Sequence, residues 1–252
     1  MTGPYALVLR FRASRPLEKL TPERLHGAFL GLIQAGDPSL AKLLHSPRMG
    51  RRPFSLVPIG RIEGSDTISL RLGVIDPELF AQFWERWNKR GGFPLPVGRM
   101  KLRPIPSRQD GPWAGTVPWD KFGKDTTSRI IRLHFCTPTA FRQGDLDLPL
   151  PLPRLVFRGL LTRWNAFAPI PLPLNGEMIE RSVALSRARI ETRTFFDGRS
   201  HIPGFVGPVE FRILRSAPAE SIPALHALAE FAFFAGIGRK TTHGMGLVRR
   251  IE

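Results

Sequence analysis

The amino-acid sequence predicts an α+β protein made of two successive units, each with the order βαββαβ. Its 252 residues suit one large or two small domains, and we expect two. Hydrophobic residues make up 42% of the chain, which is enough to bury a sizeable core. Segments with apolar residues at period two and segments with helical spacing follow one another in the same order in both halves. The chain is therefore a folded protein and not a disordered tail.

The first unit is predicted to span residues 1–105. Tyr5 to Arg12 alternates as a strand does, and Thr21-Pro22 provides an N-cap and a first-turn proline for a helix that ends near Gly36. A short apolar segment with His45 at its end follows. The rest reads as a strand pair, a helix capped by Asp76-Pro77 and ended by Gly91-Gly92, and a last basic strand: Phe54 to Ile59, Thr67 to Val74, Asp76 to Gly92, and Phe93 to Pro104.

The second unit is predicted to span residues 129–252, after a linker or an opening hairpin at residues 106–128. The same pattern predicts four strands and two helices: Ile130 to Cys136, Pro153 to Phe167 (helix), Val183 to Phe196, Phe205 to Leu214, Pro223 to Ala235 (helix), and Leu247 to Ile251. This order is typical of a ferredoxin-like or RRM-like unit, so we expect two such domains in tandem.

The charge balance favours a polyanionic partner. Lysine and arginine number 37 against 21 acidic residues, which gives a net charge of +16. Nucleic acid is the leading candidate, because we find no polybasic amphipathic helix or lipid anchor for a membrane surface. The start of the chain lacks the apolar run of a signal peptide, so we expect a cytoplasmic protein with no membrane partner.

The sequence offers little for metal or cofactor chemistry. Cys136 is the one cysteine, which excludes an internal disulfide and any multi-cysteine zinc site. The acidic residues are scattered, and neither HExxH nor a Walker A motif is present. We therefore expect no metal site and no cofactor.

A glycine-rich loop between the last helix and the last strand is the sharpest local motif. Its glycines let the backbone approach a ligand closely, and its N–H groups and cations can hold phosphate oxygens. The alternative is a structural turn that closes a hairpin. The candidate RNA-binding residues are Gly236, Gly238, Arg239, Lys240, Thr241, Thr242, His243, Gly244 and Gly246.

Several further segments accompany this loop. They are Leu133 to Arg142, Arg163-Trp164-Asn165-Ala166-Phe167, Gly204 to Gly207, Leu43-Leu44-His45, and Arg51 to Pro58. Together with the loop they resemble the CRISPR-associated repeat-processing endoribonucleases of the RAMP superfamily, over nearly the whole chain. The resemblance implies tandem ferredoxin-like domains, binding of the repeat in precursor CRISPR RNA, and one metal-independent cut per repeat.

Such a cut needs a base, an acid and a cation for the transition-state charge. The resemblance makes His45 the catalytic histidine and Arg51 or Arg52 the cation. Some relatives also use a tyrosine from the first helix, but the one tyrosine here, Tyr5, begins the first strand. His26, on the first helix, is the substitute. Each of these residues also has a structural alternative. His45 could be a surface histidine that caps a helix, Arg51 and Arg52 could belong to a solvated basic turn, and His26 could be a solvent-facing helix residue.

The resemblance names the partners as the CRISPR repeat RNA, both precursor and processed, and leaves effector-complex subunits and a homodimer open. The rival function is an inactive relative that holds the guide RNA or joins an effector complex. An unrelated RRM-like protein would carry an RNP-type pattern on its central strands, and that pattern is absent from the sequence.

Overall fold

The computed structural model describes residues 2–18, 20–46, 50–60, 62–107, 109, 111–124 and 126–251. It contains two ferredoxin-like units in tandem, as the sequence predicts, and every strand pairing in their sheets is antiparallel. We call the described residues up to Ile105 the N-terminal lobe and those from Arg129 onward the C-terminal lobe.

The elements of the N-terminal lobe are β1 Tyr5–Arg12, α1 Pro22–Gly36, α2 Pro38–His45, β2 Phe54–Ile59, β3 Thr67–Val74, α3 Pro77–Arg90, β4 Leu95–Val97 and β5 Met100–Ile105. The strands form a sheet in the order β2-β3-β1-β5-β4. Helices α1 and α3 begin where sequence predicts them, because a side-chain oxygen caps each one: Thr21 accepts from the Arg24 amide, and Asp76 accepts from the Leu79 amide. The short apolar segment before His45 is the helix α2, which Asp37 caps.

The linker serves both lobes. Its short strand β6, Gly115–Thr116, pairs with β1. A 3₁₀ helix follows at Trp119–Lys121, and Trp119 and Phe122 enter the hydrophobic core of the C-terminal lobe.

The elements of the C-terminal lobe are β7 Ile130–Thr139, β8 Phe141–Gln143, β9 Leu146–Leu148, α4 Pro153–Phe167, α5 Gly176–Ser182, β10 Val183–Ala188, β11 Glu191–Phe196, β12 His201–Ile213, α6 Ser221–Ala235 and β13 Val248–Arg250. Its main sheet has the strand order β10-β12-β7-β13, and β11 also pairs with β12.

Two predicted strands are each broken in the structure. The basic strand at 93–104 is the hairpin β4–β5, since Gly98 turns the chain with a φ of 57°. The strand at 183–196 is split into β10 and β11, near a register shift of β12 against β7 between Phe205 and Gly207. The backbones are close at this point, since a Cβ at Gly207 would lie 2.3 Å from the Arg189 carbonyl oxygen and only glycine fits there. The β8–β9 hairpin and α5 were not predicted.

Each lobe has its own apolar core, and Ala6 and Ile75 of the N-terminal lobe pack into the C-terminal one. Within the part of the chain that the structure describes, no helix is both long and apolar enough to cross a membrane.

Candidate active site between the lobes

Residues that are far apart in sequence meet where the two lobes touch. His26 on α1 stacks on His243 of the glycine-rich loop, with ring centroids 4.1 Å apart and planes 20° apart. His45, the last residue of α2, and Arg52 are close enough that their charges lower the pKa of His26. We call His26, His45, Arg52 and His243 the histidine cluster.

The hydrogen bonding of His26 shows which of its ring nitrogens carries a proton. Its Nδ1 lies 3.0 Å from the Thr242 carbonyl oxygen, which can only accept, so Nδ1 carries the proton. Burial, reinforced by the charges of Arg52 and His45, lowers the pKa of His26 below its usual 6.5 although the carbonyl opposes this. Nε2 has no hydrogen-bond partner among the described residues and presents a free lone pair. His26 is therefore a neutral imidazole that can accept a proton.

His243 is held still more firmly in the neutral form. Burial, followed by the charges of His26 and Lys240, lowers its pKa to about 4. Its Nδ1 lies 3.0 Å from the Thr242 hydroxyl. Lys240 is itself paired with the buried Asp197, whose pKa this cation lowers although burial opposes it.

The side chain of His45 is exposed at the end of α2, so a ligand can reach it. The structure separates the two candidate arginines. Arg52 donates to the carbonyl oxygens of Leu44 and Ser46, on either side of His45, and lies near both other histidines. Arg51 is exposed, and its charge acts on Arg163. Tyr5 packs in the N-terminal core and accepts a hydrogen bond from Trp84.

Much of the glycine-rich loop is packed against protein. At Gly246, with a φ of 72°, a Cβ would lie 2.0 Å from the Ile237 carbonyl oxygen, and at Gly238, with a φ of 82°, it would lie 2.5 Å from the Ala140 oxygen. Gly236, Thr241, Thr242, Gly244 and Gly246 are buried. Close packing of the backbone thus accounts for the glycines at 246 and 238. Of these two, Gly238 still has a solvent-exposed side, and its neighbour Arg239 is paired with Asp147.

Arg239 forms one wall of a groove of about 520 Å³ beside α4, which we call the arginine groove. Arg142, Arg154, Arg158 and Arg163 also line it. Arg142 and Arg158 have acidic neighbours, whereas Arg154 is exposed with no ion pair to a described residue. Sequence reasoning missed this groove, although the spacing of Arg154 and Arg158 on one helical face could have indicated it.

Among the described residues, no group of three or more His, Cys, Asp or Glu side chains could hold a metal ion. His226 is buried, with Nε2 2.9 Å from the Ser128 carbonyl oxygen, which fits a structural residue.

Comparisons with known proteins agree with this fold. The family profile described as CRISPR-associated endoribonuclease Cas6 matches residues 133–248. The structure of Thermus thermophilus Cas6 (TTHB231) is 31% identical, with a TM-score of 0.76 over 100% of this chain and 99% of that one. The chain belongs to the Cas6 family.

Further relatives support the assignment. A Cas6 (TTHA0078) product complex is 31% identical, with a TM-score of 0.79 over 99% of each chain. The curated CRISPR-associated endoribonuclease Cas6 of Mycobacterium tuberculosis is 36% identical over 124 residues, which span 48% of this chain and 39% of that protein. The match thus covers less than half the length of this curated relative.

Proposed function

We propose that the protein is an endoribonuclease that binds the repeat in precursor CRISPR RNA and cuts it once per repeat. The observation that carries the proposal is the pairing of a neutral His26, whose Nε2 is free, with an exposed His45 and with Arg52. Membership of the Cas6 family supplies the substrate class. A base, a second proton carrier and a cation are the three groups that 2′-hydroxyl attack on a phosphate needs.

In the proposed reaction, Nε2 of His26 takes the proton of the ribose 2′-hydroxyl as O2′ bonds to the adjacent phosphorus. The bond from phosphorus to the 5′-oxygen then breaks, and His45 gives its proton to that oxygen. Arg52 stabilises the negative charge that builds up on the phosphate oxygens. The products are a 2′,3′-cyclic phosphate and a 5′-hydroxyl, and no metal ion takes part.

The exposed arginines of the arginine groove are the proposed binding site for the RNA backbone. The guanidinium of Arg163 is bound to protein oxygens and is not one of these RNA contacts. Exposed guanidinium groups on one face bind phosphates without reading sequence, which suits the net charge of the chain. In this proposal the exposed Gly238 and the half-buried Arg239 of the glycine-rich loop touch RNA. The segment from Thr241 to Gly246 contains His243 and binds His26 through the Thr242 carbonyl oxygen. Residues up to 105 form the catalytic domain, 106–128 the linker, and residues from 129 the RNA-holding domain.

The test is to incubate the purified protein with repeat RNA from its own genome in EDTA, beside His45→Ala, and to analyse the product ends. Cleavage to a cyclic phosphate, lost in His45→Ala while binding persists, is the expected result. Tight binding without cleavage would favour the rival, an inactive family member that holds guide RNA or joins an effector complex. Cleavage that EDTA abolishes would overturn the metal-independent mechanism.

A further inference from the structure

Arg163, on α4, lies where the arginine groove meets the histidine cluster. Its Nη1 donates to the Ala235 carbonyl oxygen and, at 3.2 Å, to the Thr241 hydroxyl. Its Nη2 donates across the lobe boundary to the carbonyl oxygens of Arg52 at 3.2 Å and Phe54 at 3.4 Å. One guanidinium group therefore holds the end of α6, the glycine-rich loop and the start of β2.

The acceptors of Arg163 are all neutral. It makes no salt bridge to a carboxylate among the described residues, and burial, with the nearby charge of Arg51, lowers its pKa to about 10. The side chain is still charged at neutral pH. A desolvated cation bound only to carbonyl and hydroxyl oxygens is costly to place, and its planar fork fits several acceptors at once as lysine cannot.

Two short routes lead from Arg163 to the proposed catalytic histidines. Arg163 holds the backbone of Arg52, and the side chain of Arg52 holds the carbonyls of Leu44 and Ser46 around His45. Arg163 also donates to Thr241, and the carbonyl oxygen of the next residue, Thr242, accepts a hydrogen bond from Nδ1–H of His26. Both histidines are thus tied to one side chain of the opposite lobe.

We propose that Arg163 is a positioning residue that fixes His26 and His45 relative to each other for the reaction. This inference rests on the proposed function. It assigns Arg163 no contact with the reacting atoms, so its loss is expected to slow the reaction without removing any proton carrier. A misplacement of about 1 Å can cost on the order of 100-fold in rate.

Arg71 provides a matched control. It also joins the lobes at the end of α6, where it donates to the Phe233 carbonyl oxygen and, at 3.4 Å, to the Ser55 hydroxyl. It makes no hydrogen bond to Arg52 or to the glycine-rich loop. Arg71→Lys therefore loosens the same junction while leaving both routes to the histidines intact.

The experiment compares Arg163→Lys with Arg71→Lys in three measurements: thermal unfolding, the NMR signals and titration of the histidine rings without RNA, and single-turnover cleavage at saturating RNA. Both variants are expected to unfold at a lower temperature. Only Arg163→Lys is expected to shift the signals of His26 and His45 and to slow cleavage by about 10- to 100-fold, with Kd within about threefold.

Equal effects of the two variants, or a change in Kd alone, would overturn the positioning role. If Arg163→Lys does not fold, Thr241→Val removes one acceptor at constant shape and is expected to shift the His26 signal more than that of His45; an unchanged His26 would also overturn the proposal. Should the wild type not cleave RNA, the proposed function fails, while the ring signals still decide whether Arg163 positions the histidines.

Discussion

The two lobes share a sheet order but use their polar side chains differently at the boundary. The N-terminal lobe brings an exposed His45, a His26 whose Nε2 is free, and Arg52, which is bound to two backbone carbonyls. The C-terminal lobe brings His243 and three cations that are bound to other groups: Lys240 to Asp197, Arg239 to Asp147, and Arg163 to backbone carbonyls. In the proposed reaction the N-terminal lobe would supply both proton carriers, and the C-terminal lobe would hold them in position.

The largest effect is expected on removal of a proton carrier. His26→Ala is expected to slow single-turnover cleavage of repeat RNA by about 10²- to 10⁴-fold, the usual contribution of a general acid or base, with little change in Kd. His201→Ala, an exposed histidine of the C-terminal lobe, is the control and should cleave at the wild-type rate. Equal rates for the two variants would contradict the division between the lobes.

The packing of the glycine-rich loop is tested by two of its glycines, Gly244 and Gly246, which both have a positive φ. Gly246→Ala would place a Cβ 2.0 Å from a carbonyl oxygen, whereas at Gly244, with a φ of 103°, the nearest atom is a Pro58 side-chain carbon at 3.4 Å. Strain alone costs about 1–3 kcal/mol at either site, and the clash adds to it at Gly246. We expect chemical denaturation to show a larger decrease in the free energy of unfolding for Gly246→Ala than for Gly244→Ala. Equal losses would mean that the loop is not close-packed.

The half-buried His243 makes the stability of the folded protein sensitive to acid. Its pKa is about 4 in the folded protein against 6.5 when free, so between these values the unfolded chain binds more protons. Stability is full above pH 6.5 and falls as the pH drops toward 4, by about 1–2 kcal/mol after allowance for partial exposure. His243→Gln is expected to flatten this slope in denaturation curves measured between pH 6.5 and 4. An unchanged slope would contradict the neutral state of the half-buried ring.

The smallest effects are expected in the arginine groove. Arg154→Ala is expected to weaken RNA binding by about 3- to 10-fold, to reduce the salt dependence of binding by about one phosphate contact, and to leave the rate at saturating RNA unchanged. Arg12→Ala, an exposed arginine of the N-terminal lobe paired with Asp66, is the charge-matched control. Equal losses of affinity would indicate attraction by net charge and not a specific groove.

Sequence predicts the local part of this molecule well. Thr21-Pro22 and Asp76-Pro77 mark the helix starts because capping is decided within four residues. The break between β10 and β11 escapes prediction because it depends on the close approach of Gly207, which is distant in sequence.

The site is predictable only in part for the same reason. A resemblance in short motifs brings out His45 and Arg52, but the stack of His26 on His243 joins residues 217 positions apart. The segment Arg163 to Phe167 stands out in the sequence, yet nothing local tells that Arg163 reaches into the opposite lobe. Contacts between lobes are decided by tertiary packing and leave no periodic signal.

The most direct test of the central claim replaces the leaving 5′-oxygen of the repeat RNA by sulfur, because a thiolate departs without a proton. If His45 is the acid and His26 the base, cleavage of this RNA by His45→Ala should return to near the wild-type rate, while His26→Ala should stay slow. Rescue of His26→Ala, or no rescue of His45→Ala, would contradict the assignment of the two histidines.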